Sequence, residues 1–152
     1  MSGETEVYFY HLESRTLEQV LPALLERSLE RGWRAAVQAA SLERVEALNT
    51  LLWTYREDSF LPHGADADGA PAAQPVYLTD EDANPNGADV RFLVDGASLD
   101  DLGGYARVVH IFDGHDPDAV ARAREAWASA KDQGLSASYW QQDEGGRWEQ
   151  KA

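Results

Sequence analysis

The sequence predicts an α/β domain in three layers, with a mostly parallel sheet flanked by helices. Three observations predict it. Val7-Tyr8-Phe9-Tyr10-His11-Leu12 is a near-continuous run of β formers, the composition of a strand covered on both faces. Leu17, Val20, Leu21, Leu24 and Leu25 follow at helical spacing, Trp33 to Ala39 then reads as a second strand, and another helical stripe comes after it. Late in the chain, Arg107-Val108-Val109-His110-Ile111-Phe112 is again a strongly buried strand leading into a helix. Strands that alternate with helices imply right-handed parallel crossovers.

Each element has its own signals. The first strand is expected in the middle of the sheet. Thr16 and Gln19 stand at capping-box spacing ahead of the first helix, and Gly32 suits the position just past its end. Pro22 falls inside the stripe and removes one backbone bond, which predicts a kink or a helix that begins near it. Ser41 is expected to cap the second helix, built on Leu42, Val45, Leu48 and Leu52. Residues 64–75 switch to Ala, Asp, Gly and Pro without periodicity and read as a mobile loop within one domain. Val76 to Thr79 and Asp89 to Asp95 read as short strands, the second ending in the turn Asp95-Gly96, and Ser98 and Asp101 are placed to cap one helical turn. Asp116 and Pro117 supply an N-cap and an N1 proline for the last helix, which stops at Gly134. Leu135 to Trp140 reads as an edge strand. The domain is therefore drawn over residues 1–140, with 141–152 a polar acidic C-terminal tail apart from Trp148.

Composition narrows the function. A chain of 152 residues, 43% hydrophobic and 26% charged, fits one packed domain. It has no cysteine, so disulfide, thiolate and cysteine-zinc chemistry are excluded. Met-Ser-Gly-Glu-Thr-Glu has neither the basic nor the apolar region of a secretory leader, and no run approaches the ~18 apolar residues of a membrane span. A cytoplasmic location with no membrane contact is expected. The net charge of -14 repels phosphate, so direct nucleic-acid binding is not expected.

Several motifs have a bland reading beside a chemical one. Asp82, Asn84, Asn86 and Gly87 match the first half of a calcium loop, but the twelfth position is Leu93 and Pro85 stiffens the run, so a turn-rich connection is the stronger reading. His110, Asp113, His115 and Asp116 crowd the end of a strand, where α/β proteins often bind ligands, and could serve a small metal- or nucleotide-dependent enzyme. Asp116 is already explained as a cap, Asp113-Gly114 as a turn and His110 as a strand residue. No metal and no cofactor are expected. No Gly-x-Gly-x-x-Gly or Walker-type loop occurs, so the fold reads as Rossmann-like without a nucleotide-binding loop. In the last helix Arg124, Trp127 and Lys131 can share one face, with Arg122 nearby. Two readings stay open there: a cationic and aromatic grip for a short acidic peptide, or a core tryptophan among solvated charges.

An ordered set of segments carries a family resemblance. Tyr8-Phe9-Tyr10, Trp53, Ser59-Phe60-Leu61-Pro62-His63, Asn84-Pro85-Asn86-Gly87-Ala88-Asp89, the strand Val108 to Asp113 and Ala121-Arg122-x-Arg124-x-x-Trp127 together resemble the chi subunit of bacterial DNA polymerase III. The resemblance spans the first strand to Trp140. It implies a non-catalytic accessory subunit that links the clamp loader, through the psi subunit, to single-stranded DNA-binding protein. By position it implies that Arg124, Trp127, Lys131 and Trp53 capture the acidic C-terminal tail of single-stranded DNA-binding protein. Val120 stands where related proteins carry a basic residue, leaving Arg122 as a candidate substitute. Phe60, Leu61, Pro62 and His63 match the region that packs on psi.

Overall fold

The computed structural model describes residues 5–54, 64–65, 75–81, 87–97 and 105–152, without the side chains of residues 53, 54, 64 and 65. In chain order the elements are β1 (Glu6–Leu12), α1 (Leu17–Glu30), β2 (Ala35–Gln38), α2 (Leu42–Thr54), β3 (Gly64–Ala65), β4 (Val76–Thr79), β5 (Val90–Leu93), β6 (Arg107–Asp113), α3 (Pro117–Asp132), β7 (Ser136–Gln142) and β8 (Trp148–Gln150). The strands form one sheet in the order β3-β4-β2-β5-β6-β1-β7-β8. All pairs are parallel except β7 with β8. This is the α/β architecture expected.

Strand alternation sorts the core into two faces. Parallel register sets Tyr8 beside Val109 and Tyr10 beside Ile111, with Phe92 and Val37 on the same side. That face packs on Leu21 and Leu25 of α1 and Val45, Leu48 and Leu52 of α2. The other face carries Val7, Phe9, Val108 and Phe112, and receives Ala119, Ala123 and Ala130 of α3. Burying one such large aliphatic or aromatic side chain contributes about 1.5–3 kcal/mol, so both stripes are strongly fixed. β1 buries Val7 and Phe9 fully on the α3 side, while Tyr8 and Tyr10 are only partly buried against the cluster on the α1 side.

The connections diverge beside β1. From β1 the chain crosses through α1 to β2 on one side, while from β6 it crosses through α3 over β1 to β7 on the other. A crevice must open at the carboxyl ends of β1 and β6, the position where open α/β sheets bind ligands. It is present as a cleft of ≈ 950 Å³ lined by residues 12–18, 110–113 and the inner side of α3. Arg44 closes one wall, reaching Glu18 at 2.8 Å and Asp95 at 2.9 Å.

Where the sequence reading and the structure differ, the causes are local. α1 starts at Leu17, with the Thr16 and Gln19 box formed and Pro22 inside the helix, so the later start does not occur. β7 is not an edge strand and does not stop at Trp140. It runs to Gln142, and β8 covers its outer side, pairing Trp140 with Gln150 and Gln142 with Trp148. Gln142 is buried, and its Oε1 accepts the backbone N–H groups of Glu13, Ser14 and Arg15 at 3.0, 3.2 and 3.1 Å, which ties the segment after Trp140 to the loop after β1. Gly64 and Ala65, the first residues of the expected loop, pair with β4 as β3. Ser98, Asp101 and the segment 82–86 lie outside the described residues.

Candidate functional site

α3 is positioned by its start and by its small residues. Asp116 Oδ1 accepts the N–H groups of Asp118 at 3.0 Å and Ala119 at 3.4 Å, and Pro117 occupies the first turn, where its missing N–H is harmless. Alanines at 119, 123 and 130 let the helix axis approach the sheet. Glycine at 134, with φ +74, takes the left-handed turn that releases the chain into β7.

One flank of the helix combines rings with cations. Trp127 is half-buried, edge-on to Phe9 at 5.4 Å and to Tyr139 at 6.1 Å between ring centroids. Lys131 Nζ sits 5.1 Å from the indole centroid, within cation–π range. Arg124 is exposed and close enough to Tyr139 to act on its phenol, whose pKa burial raises and Arg124 partly restores. The Tyr139 hydroxyl is held 2.6 Å from His11 Nδ1, and His11 Nε2 is 2.6 Å from Glu13 Oε1. The flank is therefore a fixed aromatic floor with two positive charges above it, and it suits a carboxylate next to an apolar side chain.

The strand-end histidines do not converge. His110 lies flat against Phe9, with centroids 4.6 Å apart and planes within 3°, and its Nε2 is buried with no hydrogen-bond partner among the described residues. Burial lowers its pKa to about 4. His115 is exposed, its Nε2 2.7 Å from the Glu13 carbonyl oxygen, while Asp113 Oδ1 accepts the His115 backbone N–H. Among the described residues no group of three or more ligand-type side chains is placed to hold a metal ion.

Residues 5–138 match the family model described as DNA polymerase III chi subunit, HolC. A curated relative from Rickettsia prowazekii (strain Madrid E), described as a probable DNA polymerase III subunit chi, is 34% identical over 85 residues, covering 56% of this chain and 52% of the relative. The chain belongs to the DNA polymerase III chi subunit family. It spans about half the length of the curated relative it matches.

In this chi-family chain the expected tail-binding residues fall into separate places. Arg124, Trp127 and Lys131 share the flank just described. Arg122, about 200° around the helix from Arg124 at 100° per residue, lies against the turn of Gly96 instead, with Nη2 3.5 Å from where a Cβ on that glycine would stand. It lines the cleft, not the aromatic flank. Trp53 belongs to the last turn of α2, on the opposite face of the sheet from α3, and its side chain is outside the described residues. Phe60, Leu61, Pro62 and His63 are outside them as well. Sequence reasoning missed Tyr139, His11 and Glu13. Nothing local marks them, because Tyr139 meets His11 across 128 positions of chain.

Proposed function

We propose that this chain is a non-catalytic accessory subunit of the DNA polymerase III holoenzyme in DNA replication. It bridges the clamp loader, through the psi subunit, to the C-terminal tail of single-stranded DNA-binding protein. Family membership supports the polymerase assembly. The observation that carries the tail-binding part is the flank of α3, where Lys131 and exposed Arg124 stand beside a half-buried Trp127. Psi is assigned to Phe60, Leu61, Pro62 and His63, by resemblance alone. Guanidinium and ammonium grip carboxylates while the indole edge receives an apolar side chain, and the acidity of the remaining surface keeps the site selective for a short segment. Chemistry at the site requires no cofactor.

Calorimetric titration with the acidic C-terminal peptide of the cognate single-stranded DNA-binding protein tests this reading. One-to-one binding that weakens with salt is expected. Absence of binding at both low and raised salt removes the tail from the function and leaves the family assignment intact.

A further inference from the structure

The floor of the α3 flank ends in a hydroxyl whose proton is already committed. Glu13 Oε1 lies 2.6 Å from His11 Nε2 and 3.2 Å from Gln141 Nε2, and a carboxylate oxygen accepts. His11 therefore gives its Nε2–H to Glu13, and its bare Nδ1 accepts the Tyr139 O–H at 2.6 Å. The imidazole has no room to turn. A Cβ at position 114, which is glycine, would collide with its Nε2 and with the Leu12 carbonyl oxygen, and the Phe112 and Tyr139 rings stand 5.1 and 5.8 Å from it between centroids.

This order of bonds decides what Tyr139 can offer to an occupant of the flank. A phenol has one O–H to donate and otherwise accepts. With that donor spent on His11, the half-buried Tyr139 presents oxygen lone pairs alone. The oxygen is within reach of the flank, since Arg124 acts on the same phenol and the Trp127 ring is 6.1 Å from that of Tyr139. Lone pairs repel a carboxylate but suit an N–H. An acidic segment with apolar side chains has N–H donors only along its backbone.

We infer that Tyr139 is a peptide-binding residue of this flank, its Oη accepting one backbone N–H of the acidic tail while Arg124 and Lys131 take carboxylates. His11 and Glu13 are positioning residues that act through it. The inference rests on the tail-binding reading of α3 and deepens it. A cation on a long side chain grips carboxylates at several positions of a peptide, whereas one directional bond to the main chain selects a single register.

The test is calorimetric titration of the full chain with the acidic C-terminal peptide of the cognate single-stranded DNA-binding protein and with versions carrying one amide-to-ester replacement each. An ester exchanges a single N–H for an oxygen and leaves every side chain in place. At one position it should weaken binding about tenfold, because the lost bond is joined by opposed lone pairs. In Tyr139→Phe, which keeps the ring contacts, the same ester should cost about twofold or less. His11→Phe removes the accepting nitrogen, frees the hydroxyl to turn its proton towards the ester oxygen, and should shrink the penalty likewise. A purely structural His11 would not change it, so an undiminished penalty in His11→Phe removes the positioning role. The ester series on the unaltered chain keeps the test valid if His11→Phe fails to fold. No ester that weakens binding beyond about twofold, or an equal penalty in Tyr139→Phe, overturns the inference and leaves the tail-binding reading in place. Absence of binding by the parent peptide overturns both.

Discussion

The Tyr139 hydroxyl and His11 Nδ1 stand 2.6 Å apart, and the other ring nitrogen of His11 is 2.6 Å from Glu13 Oε1. A carboxylate oxygen accepts, so His11 gives its Nε2–H to Glu13, and the tautomer with a bare Nδ1 accepts the Tyr139 O–H. The chain fixes β7 against β1 directly beneath Arg124. Tyr139→Phe keeps the ring contacts with Phe9 and Trp127 and removes only this bond. It should cost about 1 kcal/mol, the usual net worth of a partly buried hydrogen bond. Urea unfolding of the two proteins measures it, and an unchanged midpoint would show that the chain does not stabilise the floor.

Gln142 does for the loop after β1 what Tyr139 does for the strand. Its single Oε1 satisfies three successive backbone N–H groups, at Glu13, Ser14 and Arg15. Gln142→Ala leaves those donors to water and empties a buried site, so a loss of about 1–3 kcal/mol is expected. Removing the chain after Trp140 should cost more, since it also deletes β8 and the contact of Trp148 with Tyr10. Thermal unfolding followed by circular dichroism distinguishes the outcomes. A truncated chain as stable as the full one would make β8 an ornament of the sheet.

His110 makes stability depend on pH. Burial holds it neutral by lowering its pKa from 6.5 to about 4. The unfolded chain takes up a proton below about pH 6.5 while the folded one does not, so stability is full above that pH and declines as pH falls towards 4. The whole contribution at stake is about 3 kcal/mol at 1.36 kcal/mol per unit. His110→Phe preserves the stack on Phe9 and removes the buried Nε2. It should flatten the pH dependence of urea unfolding between 6.5 and 4. Equal slopes in the two proteins would mean that His110 is protonated in the folded state.

Local signals were legible and long-range pairings were not. The Thr16 and Gln19 box, the Asp116-Pro117 start and the apolar runs of β1 and β6 each declare themselves within a few residues, because caps and strand burial are short-range demands. β8 escaped notice because Trp148 is the only large apolar residue in its segment, and what orders the segment is antiparallel pairing with β7. The split between Arg122 and Arg124 was readable from helical angle alone. That Arg122 would meet Gly96 was not, since the contact depends on how β5 ends.

That split gives the sharpest test of the proposed tail-binding flank. Arg124→Ala removes an exposed guanidinium beside Trp127 and Tyr139, and should weaken peptide binding by about 1–3 kcal/mol with little change in stability, as expected for a lost charge-assisted contact. Lys131→Ala removes the ammonium 5.1 Å from the Trp127 centroid and should cost about 0.5–1 kcal/mol, typical of an exposed cation–π pair. Arg122→Ala should leave the affinity unchanged, because its side chain lies over the Gly96 turn on the cleft side of the helix. Calorimetric titration of the three variants with the same peptide decides it. If Arg122→Ala weakens binding as much as Arg124→Ala, the peptide runs through the cleft at the carboxyl ends of β1 and β6, and the flank above Tyr139 is not its seat.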